Sequence, residues 1–264
     1  MDDAFFLPLT GPDGDRWQAT EHTTGPWDPR FQHGGPPSAL LGRAVERTGP
    51  AEGMFVARVT VEILGPIPVG ELHLRSRVVR PGRSVELVEA VLSADGRDAA
   101  RAQAWRIRRT TSEAVSPRHT PAPPLPAEAV DIVGEVDSHG WGGGYLSAVE
   151  WRFAAGHFAT PGPSTAWTRL RHPLVAGEEP SPLQRVLAVA DSGNGISSEL
   201  DVTAWHFINP ELTVHLHREA VGEWICLDAS TTVSAGGVGL ATSVLSDLDG
   251  PVAVGAQALL VAPR

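Results

Sequence analysis

Apolar and polar residues alternate through much of this chain, and a period of two marks half-buried β-strands. The alternation runs through 55–65, 70–80, 84–94 and 98–109, and again through 147–156, 165–175, 211–218, 223–233, 238–247 and 252–262. Two short strands, in "AFFLPL" and "RWQATEHTTG", precede the first series. Two stretches change to helical spacing. One follows "FQHGGPP" (31–37), and the other is "PSPLQRVLAVAD" (180–191), with proline near its first turn. Each half of the chain therefore predicts one helix followed by an antiparallel meander of four strands.

The halves also match in sequence. "DGRDAARAQAWRI" (95–107) aligns without gaps to "DGPVAVGAQALLV" (249–261) at an offset of 154, pairing Gln103 with Gln257. "SVELVEAVLS" (84–93) matches "GVGLATSVLS" (237–246) at 153, and "TVEILGPIPVGEL" (60–72) matches "TVHLHREAVGEW" (213–224). Three blocks in one order point to tandem duplication. One long helix on a curved antiparallel sheet is the hotdog arrangement, so the expected fold is α+β, a double hotdog with its two sheets joined edge to edge. The expected boundaries are 1–112 for the first repeat, 113–135 for a proline-rich connector and 136–264 for the second repeat.

Composition narrows the function. A net charge of −10 opposes nucleic acid or an anionic membrane as partner. No apolar run approaches the length of a membrane span, and no signal peptide is visible at the N-terminus, so the expected compartment is cytoplasmic. All 21 basic residues are arginine, which removes Schiff-base chemistry and a P-loop lysine. The single cysteine, Cys226, excludes an internal disulfide and reads as a packed strand residue. His215 and His217 form an HxH pair without a further ligand set, so neither metal nor cofactor is expected.

"HGGPPSALLGRA", "EWRFAAG", "PSPLQRVLAVADSGNG", "NPELTVHLHRE", "GEWICLDA" and "DGPVAVGAQALLV" together resemble the bacterial type II acyl-CoA thioesterases and the wider thioesterase-like double-hotdog family, common in actinobacteria. The resemblance covers nearly the whole chain outside the connector. It implies hydrolysis of an acyl thioester, carried by CoA or a carrier protein, through attack by water without a covalent enzyme intermediate. It also implies a carboxylate, a hydroxyl and a glutamine in the second repeat, which the matching motifs place at Glu211, Thr232 and Gln257. Glutamate at 211 departs from the aspartate of the best-known members. His33, Gly34, Gly35, Asp191 and Asn194 fall on the substrate side. The first repeat has Arg58 and Arg80 opposite Glu211 and Thr232, so one site per chain is expected.

These residue types suit the chemistry. A carboxylate accepts the proton of an attacking water, while a hydroxyl and a carboxamide fix the water's orientation. The carbonyl oxygen gains negative charge and needs N–H donors, which are free at a helix start. Gly34 and Gly35 permit either a tight entry turn or the close approach of such a carbonyl. If the first helix faces the strands of the other repeat, it supplies those donors to the trio. "AWRIRRT" (104–110) offers arginines to phosphates or a solvated strand, and Trp141, Tyr145 and Trp151 offer an acyl-tunnel wall or plain core. The alternative function is a protein of the same fold that binds a thioester or polyketide-like ligand without hydrolysis, or catalyses another reaction. Hotdog sheets often pair further, which allows a homo-oligomer.

Overall fold

The structure, a computed structural model, describes residues 3–11, 14–111, 120–130, 143–158 and 160–264. The first repeat holds β1 (Phe6–Pro8), β2 (Arg16–Ala19), α1 (Gly35–Arg47), β3 (Met54–Ile63), β4 (Glu71–Arg80), β5 (Val85–Ala94) and β6 (Arg97–Arg108). The second holds α2 (Tyr145–Ala148), β7 (Val149–His157), β8 (Thr160–Leu170), α3 (Pro182–Ala190), α4 (Gly193–Ile196), β9 (Trp205–Ile208), β10 (Glu211–Leu216), β11 (Ile225–Val233), β12 (Val238–Asp247) and β13 (Gly250–Pro263). Trp141 lies outside the described residues.

The strands form one continuous antiparallel sheet in the order β1-β2-β4-β5-β6-β3-β10-β13-β12-β11-β8-β7, with β9 paired to β13. Reading inward from either end gives the same sequence of equivalent strands, so the fold is a double hotdog. The halves join where β3 pairs β10, and Thr60 faces Thr213 there. These two threonines begin the matched blocks "TVEIL" and "TVHLH", and their hydroxyls are 3.2 Å apart. A pseudo-two-fold axis passes between them.

Strand register corrects one equivalence. In the first repeat Leu92 faces Ala100, and in the second Leu245 faces Ala253, each followed by the same bulge. Equivalent residues are thus 153 apart on both sides of this hairpin, and the apparent offset of 154 beyond it is one residue out of step. The counterpart of buried Gln257 is Ala104. Gln103 is one residue away, so its side chain projects from the opposite face of the sheet.

Most predicted elements appear within a few residues. The strand expected at 165–175 instead starts at Thr160, and its proline-bearing first residues pair with β7 alone, where a missing N–H costs no ladder bond. β9 was not anticipated, because four residues carry too little periodicity.

Both long helices lie on one face of the sheet and pack against each other, each over the strands of its own repeat. This corrects the expectation that the first helix faces the other repeat's strands. α3 starts conventionally: Ser181 accepts from the Gln184 N–H, and Pro182 follows. α1 starts at Gly34 without a side-chain cap. Its last turn meets Arg106 of β6, whose guanidinium donates to the carbonyls of Val45 and Thr48 at 3.2 and 2.8 Å. A cation there complements the negative end of the helix.

One core unites Leu40, Leu41 and Val45 of α1, Val186 and Leu187 of α3, and inward residues of both sheets. Residues 1–112 alone would expose the β3 edge and the α3-facing side of α1. That fragment should be insoluble or give a collapsed, poorly dispersed NMR spectrum. A well-dispersed spectrum would contradict the shared core.

Candidate active site

The ends of the two long helices meet, and the place where the start of α1 meets the end of α3 opens into a cavity of about 380 Å³. Both repeats line it: Gln32, His33 and Gly34 before α1, Ile63 at the end of β3 and Ile67 beyond it, and Trp151, Asp191, Asn194, Phe207 and Asn209 from the second repeat. Its walls are mostly apolar, with a small polar group at one place, which suits an acyl ligand with one reactive centre.

That polar group is built around Asp191, the C-cap residue of α3 and only 4% exposed. Asn209 Nδ2 donates to Asp191 Oδ1 at 2.7 Å. Gln257 Nε2, on the inward face of β13, donates to the Asp191 backbone carbonyl at 3.1 Å and approaches Oδ1 at 3.3 Å. Gln257 Oε1 accepts from the Asn194 N–H at 3.2 Å, so its carboxamide orientation is fixed. Asn194 Nδ2 in turn donates to the Phe207 carbonyl at 3.2 Å. Both donors to the carboxylate reach Oδ1. Oδ2 accepts from no N–H or O–H among the described residues, and Asp191 lines the cavity.

His33 approaches Oδ2 through Nδ1 at 3.5 Å. An ion pair would need a proton on Nδ1, but that nitrogen already accepts from the Gly35 N–H at 3.0 Å. Burial also holds the imidazole below its usual range, despite the opposing pull of Asp191. His33 is therefore neutral, with its proton on Nε2. Its ring stacks on Tyr145 at 3.9 Å, and the Tyr145 hydroxyl donates to the Ala188 carbonyl at 2.9 Å.

The glycine pair is explained by this contact. A Cβ on Gly35 would lie 2.1 Å from the Ala188 carbonyl oxygen, and one on Gly34 would lie 2.6 Å from Asp191 Oδ2. Gly35 makes room for the end of α3, not for a ligand, and its N–H is taken by His33. The Gly34 N–H has no partner among the described residues, and Gly34 lines the cavity.

Of the residues expected to carry the chemistry, Gln257 belongs to this cluster, while Glu211 and Thr232 do not. Leu212, Val214 and Leu216 point into the core, so Glu211 projects from the outer face, where it accepts from the Ala258 N–H at 2.7 Å. Thr232 is exposed on the outer face, whereas its neighbour Thr231 points inward and bonds Ser197. Asp191, Asn194, His33 and Gly34 all line the cavity; Gly35 does not, and packs against the end of α3. Asn209 was missed, because a lone asparagine before a proline reads as a turn. His215 and His217 are exposed, and neither joins a cluster of three candidate metal ligands among the described residues.

The pseudo-equivalent place in the first repeat lacks the cluster. Thr48 caps α1 where Asp191 caps α3, and register puts Val56 and Ala104 opposite Asn209 and Gln257. A smaller cavity of about 190 Å³ lies there. Its one deep carboxylate, Glu46, is occupied by the Ser181 hydroxyl and Gln184 Nε2.

Two family descriptions match the chain in order: the acyl-CoA thioesterase N-terminal domain over residues 23–107 and the acyl-CoA thioesterase C-terminal domain over 119–261. No curated protein matches it in sequence. Among solved structures, a candidate thioesterase II from Thermobifida fusca is 18% identical, with 98% of this chain and 96% of that one covered at a TM-score of 0.74. A conserved protein of unknown function with a hot dog fold, from Alicyclobacillus acidocaldarius, is 16% identical over 96% of both chains, also at 0.74. An acyl-CoA thioesterase II from Mycobacterium marinum is 14% identical over 95% of this chain and 92% of that one, at 0.67. These likenesses show the fold.

The buried neutral imidazole makes stability depend on pH with a definite sign. Because His33 titrates below 6.5 when folded, the unfolded chain takes up the proton first. Its contribution is complete above that value and is lost as pH falls toward the folded value. Urea denaturation at pH 7.5 and 5.5 should show a loss at the lower pH that His33→Gln reduces, since glutamine still accepts from Gly35 but does not titrate. An unchanged difference in a folded variant would contradict the neutral assignment. His172, also lowered by burial, adds a slope that remains in both proteins.

Proposed function

Because the chain belongs to the acyl-CoA thioesterase family, whose two domain descriptions it matches in order, we propose that it hydrolyses an acyl-CoA or related acyl thioester to a free acid and a thiol. The observation that carries this reading is the one-sided bonding of Asp191: two carboxamides donate at Oδ1, Oδ2 accepts from no N–H or O–H among the described residues, and Asp191 lines the cavity.

A water at Oδ2 gives a proton to the carboxylate as its oxygen attacks the thioester carbon. Asn209 and Gln257 hold Asp191 in place through its Oδ1. The Gly34 N–H is the group placed to meet the carbonyl oxygen as it becomes negative, a contribution typically worth about 3 kcal/mol. The tetrahedral intermediate expels the thiolate, which recovers the proton from Asp191. His33 positions rather than catalyses, keeping the Gly35 N–H occupied and the start of α1 in place. Aspartate at this point also removes the extra methylene that a glutamate base would have introduced.

The test is thiol release from short, medium and aromatic acyl-CoAs. Asp191→Asn keeps the shape and removes the basic oxygen, so turnover should fall about 100-fold or more. Glu211→Gln and Thr232→Ala, on the outer face, should retain turnover within about twofold. Full activity in folded Asp191→Asn would remove the proposed base. Ligand binding without thiol release from any acyl-CoA would favour the non-hydrolytic reading.

A further inference from the structure

The cavity beside Asp191 is aromatic out of proportion to the chain. The sequence has seven phenylalanines, eight tryptophans and one tyrosine in 264 residues, and five of these rings line this one space: Trp27, Phe31, Trp151, Phe158 and Phe207. The pseudo-equivalent cavity of the first repeat has one among the described residues, Phe55. Strand pairing locates the difference. Phe207 faces Val261 as Met54 faces Arg108, so a flexible methionine holds the place of Phe207 in the first repeat. The duplication thus separates what either cavity shares from what this one alone has acquired.

The rings are also held in place. Trp27 and Phe31 sit on one tight loop, closed by the Gly25 N–H, which donates to the Phe31 carbonyl at 2.8 Å. The Arg264 guanidinium lies 5.3 Å from the centre of the Trp27 ring, over its face. Trp27 and Phe207 have ring centroids 5.2 Å apart and planes 80° apart. Two rings near a right angle form an inside corner. A third ring placed there stacks on one and turns its edge to the face of the other, the two arrangements that aromatic pairs favour. A straight alkyl chain offers neither a flat face nor a polarised edge, so it gains only burial.

Size and position point the same way. At about 30 Å³ per heavy atom, the cavity of about 380 Å³ takes about a dozen such atoms, enough for an arylacyl group with its sulfur and too few for a long fatty acyl chain. Asn209, which donates to Asp191, follows Phe207 by two residues, and both are buried. Alternate residues of an extended segment lie about 7 Å apart on the same side. A ring against Phe207 therefore keeps its thioester at the Asp191 corner when a short linker joins them. We infer that the substrate's acyl group carries an aromatic ring close to the thioester, and that the Trp27–Phe207 corner selects it. The place of the reacting carbonyl rests on the thioesterase reading, whereas the preference of the corner for a ring does not depend on hydrolysis.

3-Phenylpropanoyl-CoA and nonanoyl-CoA carry the same number of carbon atoms, so comparing them isolates the ring. Thiol release should favour the aryl substrate about tenfold in kcat/KM, and Trp27→Leu should cut that preference to about threefold or less. Phe207→Met, which copies the residue of the first repeat, should act in the same direction and serves where Trp27→Leu fails to fold. Calorimetry with the matching thioethers of CoA, S-(3-phenylpropyl) and S-nonyl, reads the same preference without turnover. Tighter binding of the aryl thioether with no thiol release from any acyl-CoA would remove the hydrolytic reading and leave the aryl selection standing. Equal or tighter binding of the nonyl thioether, binding of neither, or an undiminished aryl preference in a folded variant would overturn it.

Discussion

The antiparallel packing of the two long helices, which sets the start of α1 against the end of α3, is the constraint on which the site depends. Helix ends leave carbonyls and N–H groups without intrahelical partners, and these must find partners elsewhere. Here two positions without side chains let the start of α1 approach the last carbonyls of α3 and the Asp191 carboxylate. His33 then takes the Gly35 N–H and Tyr145 the Ala188 carbonyl, while Asp191 and Gly34, with one carboxylate oxygen and one amide unpartnered among the described residues, both line the cavity. A bulkier residue at either glycine would separate the groups that the proposed chemistry needs together.

The duplication explains why the molecule has one such place and not two. Its pseudo-symmetry repeats the helix contact at the other end, but there the cap is threonine, the strand positions are valine and alanine, and Glu46 is already occupied. Arg106 adds a fixed cation at the end of α1. The same geometry was thus consolidated in one half and kept open in the other. An apolar wall with one polar corner also fits the substrate class, since an acyl chain needs burial and only its thioester needs directed polar groups.

Much of the fold was legible in the sequence because strand alternation and the internal repeat are both long-range patterns that chance rarely produces. The Thr60 and Thr213 blocks even locate the seam between the sheets. The site was less legible. Gln257 stood out through its motif, but its pairing with Gln103 failed because a single-residue slip in a strand exchanges faces. Glu211 and Thr232 failed for the same reason, as each lies on the outward side of its strand. Asp191 was read as a substrate-side residue, because its position at a helix end says nothing about what faces it. Only the folded chain brings Asp191, Asn209 and Gln257 together from segments separated by 18 and 66 residues.

The central claim is that the free oxygen of Asp191 activates water and does not itself attack the thioester. A single turnover in heavy-oxygen water, with protein in excess over acyl-CoA, separates the two directly. Water attack puts the heavy isotope in the acid released in that first turnover and leaves the Asp191 peptide unlabelled by mass spectrometry. Heavy oxygen in the Asp191 carboxylate, with an unlabelled acid, would mean that an acyl–aspartate anhydride forms and would contradict the account.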